Sequence, residues 1–134
     1  MQDLNFYKYG NDIDPKSLVI LLHGYGSNGQ DLISLADEWA AEMPNTLFIS
    51  PDAPEQCEIS AFGFQWFSLF DRRADIMLKN IQPAAPILEK FIQDCADNFN
   101  VPFEKIALVG FSQGTMMSLY TAPRMDKAIA GVRL

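Results

Sequence analysis

The sequence predicts an α/β protein with a mostly parallel sheet and helices on both faces, and three observations carry that prediction. Short, continuous apolar runs bounded by turn residues read as strands buried on both sides. Stretches with apolar residues at steps of three and four, which read as amphipathic helices, separate those runs. One strand then runs straight into a serine flanked by glycines that opens a further helix. Such alternation builds right-handed crossover units.

Residues 3–9 are expected to form an N-terminal strand. Leu18-Val19-Ile20-Leu21-Leu22 is too short for a helix and apolar throughout, as a central parallel strand requires. Leu32, Leu35, Ala36, Trp39, Ala40 and Met43 then mark one face of a helix, with Ser27 and Gln30 at capping-box spacing. Thr46-Leu47-Phe48-Ile49 is the next strand. Pro83 and Pro86 should interrupt the following region, because proline lacks a donor and clashes inside a helix. Beyond them Leu88, Phe91, Ile92, Cys95 and Phe99 form a helix face that ends before Asn100-Val101-Pro102. Ile106-Ala107-Leu108-Val109 is a third buried strand, and Ile129-Ala130-Gly131-Val132 starts another. No linker interrupts the series, so one domain over 1–134 is expected.

Of the 134 residues, 49% are hydrophobic and 20% charged, a globular balance rather than a disordered one. A net charge of −7 and a pI near 4.5 repel phosphate backbones and anionic lipid, which argues against a nucleic-acid partner. The sequence shows no basic segment followed by a short apolar one at its start, and no run near the ~20 apolar residues of a membrane span. A cytoplasmic protein without a membrane span is the expectation. Cys57 and Cys95 are too few for a disulfide framework and lack metal-ligand spacing, so both read as reduced thiols, with Cys95 packed in its helix face. Neither a metal nor a cofactor is called for.

Two glycine motifs compete to define the function. Gly24, Gly26 and Gly29 satisfy the dinucleotide fingerprint after a strand and before a helix, and Asp52 lies near the spacing of a ribose-binding acid. Against that nucleotide-binding reading, Asp31 would face the pyrophosphate and Ile33 is bulky where helix and strand should approach closely. Gly110-Phe111-Ser112-Gln113-Gly114, entered from a strand and leaving into a helix, has the form of a nucleophile elbow with Ser112 as nucleophile. His23-Gly24-Tyr25-Gly26 then reads as an oxyanion loop, in which the backbone N–H groups of Tyr25 and Gln113 would hold the negative oxygen formed when Ser112 attacks a carbonyl. Phe62–Phe70 is aromatic-rich and belongs to a loop expected over the site, where Trp66, Phe67, Met116 and Met117 either line an acyl pocket or pack in the core.

Leu22-His23-Gly24-Tyr25-Gly26, Ser50-Pro51-Asp52-Ala53-Pro54, Gln65-Trp66-Phe67 and Gly110–Gly114 followed by Ser118-Leu119-Tyr120 resemble the phospholipase/carboxylesterase family, collinearly from about residue 15 to 132. That resemblance implies an α/β-hydrolase fold and hydrolysis of small esters or thioesters, some with acyl chains, by a Ser-Asp-His triad. It also implies Ser112 as nucleophile and the amides of Tyr25 and Gln113 as oxyanion donors. Family members continue with two further strands, whose following loops carry the catalytic Asp and His; no position here matches either. A C-terminally truncated fold is therefore expected, with Arg133 placed inside a strand that should be buried, and a frameshift, premature stop or split reading frame would explain it. An exposed sheet edge and self-association follow. His23, the single histidine, is expected to fix the oxyanion loop rather than act as base, and Asp52, Asp71, Asp75 and Asp126 read as solvated acids. The alternative to an impaired hydrolase is a noncatalytic chain that binds an acyl ligand or a complementing partner.

Overall fold

The computed structural model describes residues 3–134; Met1 and Gln2 lie outside the described residues. The sheet has five strands in the order β1-β3-β2-β6-β7. They are β1 (Phe6–Gly10), β2 (Ser17–Leu22), β3 (Thr46–Pro51), β6 (Ile106–Gly110) and β7 (Gly131–Arg133). β2, β3, β6 and β7 run parallel, and β1 lies antiparallel to β3 at one edge. A small antiparallel hairpin of β4 (Glu55–Gln56) and β5 (Phe64–Gln65) stands apart from the sheet.

β2 alternates its side chains between two cores. Leu18, Ile20 and Leu22 join Leu47, Ile49, Ile106 and Leu108 on one face, beneath helices α3 (Ala74–Phe99) and α4 (Gln113–Thr121). Val19 and Leu21 join Phe48 on the other, beneath α1 (Gly29–Ile33) and α2 (Ala36–Ala40). Leu18, Ile20, Leu21 and Leu22 are fully buried, and burying each contributes roughly 1.5–3 kcal/mol. The continuous apolar run is thus the signature of a strand covered on both sides.

Four expectations need correction. Pro83 and Pro86 do not end a helix: α3 runs through both, because they lie exposed while Ile81, Ala84, Ala85, Leu88 and Phe91 continue the buried stripe. The carbonyls of Lys79 and Gln82, four residues earlier, thus lose their amide partners on the solvated side, where water can replace them. The helix expected around residues 32–43 is instead two short ones. Ser34 Oγ donates to the Asp31 carbonyl and Leu35 N–H reaches only back to Leu32, tightening the chain between α1 and α2. The cap of α1 is Asn28, whose side-chain oxygen accepts from Asp31 N–H at 2.8 Å, rather than the Ser27–Gln30 box. Arg133 is exposed on the edge strand β7, so its charge lies in solvent rather than inside a buried strand. Cys95 packs in the core as expected, and burial pushes its thiol up to about 12.

Candidate active site

β2 and β6 are parallel neighbours with Leu22 opposite Gly110, so the loops that follow them leave the same end of the sheet. Phe111 N–H donates to the Leu22 carbonyl at 3.0 Å, and the chain then turns sharply into α4. Ser112 occupies that turn at φ 54°, ψ −114°, a conformation that costs a non-glycine residue about 1–3 kcal/mol. It is exposed at the N-cap of the helix. The flanking glycines are demanded by close approach. A Cβ on Gly110 would lie 2.6 Å from the Gly114 carbonyl oxygen, and one on Gly114 only 2.0 Å from that of Leu22. The strand-to-helix serine read from the sequence is therefore a strained turn clamped against β2.

The loop after β2 meets that turn. A Cβ on Gly24 would come 3.1 Å from Ser112 Cβ and 3.2 Å from the Phe111 carbonyl oxygen, so the two glycine motifs adjoin. The Gln113 N–H is the first amide of α4; neither it nor the Tyr25 N–H has an acceptor among the described residues. His23 is fully buried and uses both ring nitrogens. Its Nε2 accepts from Ala53 N–H at 2.9 Å, which assigns the ring hydrogen to Nδ1, and that atom donates to the Gly24 carbonyl at 2.7 Å. Burial holds its pKa below the ordinary histidine value, against the Gly24 hydrogen bond and the nearby Asp52 charge, which favour the cation.

Trp66 and Phe67, for which the sequence left pocket lining and core packing open, are buried at 1% and 3% exposure. The Trp66 indole N–H donates to the His23 carbonyl at 3.0 Å, and the two rings lie 5.8 Å apart. The methionines divide: Met117 is fully buried, whereas Met116, in the first turn after Ser112, is 39% exposed. Gln113 carries more than its amide. Its fully buried side chain accepts from Trp66 N–H and donates to the Phe67 carbonyl, both at 2.8 Å.

Glu58 was not singled out by sequence reasoning, although it is the lone charged residue between Glu55 and Asp71. Its carboxylate accepts from the Tyr25 hydroxyl, from Ser68 Oγ at 2.6 Å and from Leu69 N–H at 2.8 Å. Desolvation pushes the carboxyl up, but these hydrogen bonds outweigh it and hold the pKa below its ordinary value. The Tyr25 hydroxyl is pushed well above its ordinary range by desolvation and by the adjoining Glu58. Asp52 is not a solvated acid. It is 7% exposed and accepts from Gly29 N–H at 2.8 Å and Asn5 Nδ2 at 3.0 Å. This also undercuts the nucleotide fingerprint. The donors at the start of α1 serve Asp52 and Asn28, and Gly29 is required because a Cβ there would lie 2.5 Å from the Ser50 carbonyl oxygen.

A parallel sheet flanked by helices, with a strained serine between β6 and α4 and a glycine loop from β2 against it, defines the class: an α/β hydrolase. Within that class the chain belongs to the phospholipase/carboxylesterase family, whose model matches residues 11–133. It is 30% identical to acyl-protein thioesterase 1 of Candida albicans over 130 residues, covering 90% of this chain and 56% of that protein. Acyl-protein thioesterase 1 homolog 1 of Dictyostelium discoideum is 32% identical over 109 residues, covering 77% and 48%. The crystal structure of esterase PE8 superposes with a TM-score of 0.91 at 37% identity, over 98% of this chain and 62% of that one. The chain spans about half the length of the curated relatives it matches. Among the described residues, no helix is long and apolar enough to cross a membrane.

Proposed function

We propose that this chain carries the nucleophile and the oxyanion hole of a site that cleaves carboxylic esters or thioesters. The observation that carries the reading is Ser112, held exposed at φ 54° with the Gly24 loop against its Cβ. Ser112 Oγ bonds to the acyl carbonyl carbon as the ester C–O or thioester C–S bond breaks, the serine proton passes by way of water to the departing alkoxide or thiolate, and a second water then hydrolyses the acyl-serine to the acid and free serine. The Tyr25 and Gln113 amides point the reading toward acyl transfer, since each oxyanion donor is worth roughly 3–4 kcal/mol in the transition state. Met116, exposed one turn into α4, is the side chain we assign to contact with the acyl chain. The names of the relatives, thioesterases and an esterase, suit the same bond types.

His23 is not the base in this scheme, because both ring nitrogens are engaged and burial disfavours its cation. Loss of the base costs a serine hydrolase on the order of 10⁶ in turnover, while oxyanion hole and binding retain roughly 10³–10⁴ over water. The 134-residue polypeptide is therefore expected to acylate slowly. A second reading, a chain that binds an acyl ligand without turnover, draws on the same engagement of His23. Incubation with p-nitrophenyl acetate, followed by intact mass and nitrophenolate release, separates the two. One acetyl group on Ser112, absent in Ser112→Ala, supports the hydrolase reading; equal signals from both proteins would refute it.

A further inference from the structure

The two residues assigned to the oxyanion hole share a feature their amides alone do not explain. Each uses its side chain to grip the same segment, residues 58–69. Tyr25 does so through its hydroxyl on Glu58, and Gln113 through paired hydrogen bonds of 2.8 Å to the backbone of Trp66 and Phe67. The segment is itself cross-tied. Glu58 accepts from Ser68 Oγ and Leu69 N–H, and Glu58 N–H donates to Gln65 Oε1 at 3.0 Å. Next to Tyr25, Gly26 N–H donates to the Phe64 carbonyl at 2.9 Å, and Phe64 N–H donates to that of Ser27 at 2.8 Å. A Cβ on Gly63 would overlap the Gly26 carbonyl oxygen at 2.0 Å, so segment and oxyanion loop are in direct backbone contact.

We infer that segment 58–69 is a brace that sets the separation of the Tyr25 and Gln113 amides, with the Glu58 carboxylate and the Gln113 side chain as its positioning residues. This rests on the oxyanion assignment made above. The physical ground is that the loops after β2 and β6 are joined to their own strands only at one end, whereas a hole needs both amides fixed before charge develops. Hydrogen bonds from a carboxylate and from a fully buried amide supply that fixation, and a buried side chain whose donor and acceptor are both satisfied has one geometry.

Tyr25→Phe tests the brace cleanly, because it removes the hydroxyl on Glu58 and keeps the backbone amide. Tyr25→Phe, Glu58→Ala and Gln113→Met are each expected to slow acylation of Ser112 by p-nitrophenyl acetate about 10- to 100-fold, as a misplacement near 1 Å does, with the ester concentration at half-maximal rate changing less than about twofold. The Tyr25→Phe/Glu58→Ala double variant should be no slower than Glu58→Ala alone, since that variant already removes the Tyr25–Glu58 bond together with those from Ser68 and Leu69. Glu58→Gln, which keeps an acceptor for the hydroxyl, should recover most of the rate. Backbone 15N–1H spectra give the second readout, one that needs no turnover. In Tyr25→Phe the Gln113 amide resonance should move, although residue 113 opens α4 and lies on another element. A Gln113 amide unmoved in Tyr25→Phe, or folded variants acylating at the wild-type rate, overturns the brace. Acylation of wild type indistinguishable from Ser112→Ala would instead overturn the oxyanion assignment, and the spectra would still decide whether the two loops are coupled.

Discussion

Gly114→Ala offers a sharp test of how the elbow is held. The new Cβ would lie 2.0 Å from the Leu22 carbonyl oxygen, 2.6 Å from the Leu22 carbonyl carbon and 2.9 Å from the His23 carbonyl oxygen. All three are backbone atoms of β2 and its loop, fixed by pairing with β3 and β6, so no flexible side chain can give way. Restoring an ordinary contact of at least 3.4 Å moves the start of α4 off β2 by about 1.4 Å. Forcing even one methylene into a well-packed site costs roughly 1–3 kcal/mol; with rigid neighbours the upper end applies, and about 3 kcal/mol corresponds to a Tm lower by roughly 10 °C in a chain of this size. Gly131→Ala is the control, because a Cβ there meets nothing within 4 Å and its φ is not positive. It should leave Tm unchanged or raise it slightly through the unfolded state. Thermal and urea unfolding followed by circular dichroism measure both variants. A Gly114→Ala protein within about 0.5 kcal/mol of wild type would refute the claim that β2 backbone contact fixes the elbow.

Two further outcomes follow from buried charge and exposed edge. His23 has a folded pKa below its ordinary 6.5, so the unfolded chain binds the extra proton first. Its contribution is full above 6.5 and is lost as pH falls through the folded value. Wild type should lose Tm more steeply than His23→Gln between neutral and mildly acidic pH, and equal slopes would discard the assignment. β7 is an edge strand beside an apolar cleft of about 510 Å³ lined by Trp39, Met43, Phe48 and Val109. Concentration-dependent self-association in size-exclusion chromatography is expected, reduced by Leu134→Lys, whose exposed side chain lines that cleft; a monomer at all concentrations sinks it.

The sheet was legible in the sequence because a strand buried on both faces leaves a five-residue apolar run, and Leu18–Leu22 is one. The meeting of the loops after β2 and β6 followed from glycines at positions where backbones must touch, as Gly24 and Gly114 do. What sequence reasoning missed were interactions with no local pattern. Pro83 and Pro86 read as breakers because their exposure cannot be seen in one dimension. Glu58 carried no signal and Asp52 read as a solvated acid because their donors are as distant as Tyr25, at separation 33, and Asn5, at separation 47. Trp66 was ambiguous since an aromatic beside a site serves core or pocket equally; the His23 carbonyl that takes its indole N–H decides for the core.

The strained serine ties these observations to one cause. Ser112 at φ 54° is unfavourable by about 1–3 kcal/mol and persists only if its surroundings over-determine it. They do so from both sides. Phe111 N–H is held by β2, Gly114 N–H turns back to the Phe111 carbonyl, and the Gln113 side chain is fixed to residues 66 and 67. The same contacts leave the Gln113 N–H without an acceptor among the described residues. A fold that needed only a strand-to-helix turn would relax the strain with glycine at position 112. Retaining an unfavourable serine there, and bracing the turn through a buried glutamine, is a stability cost that the nucleophile proposed above would account for and a structural turn would not.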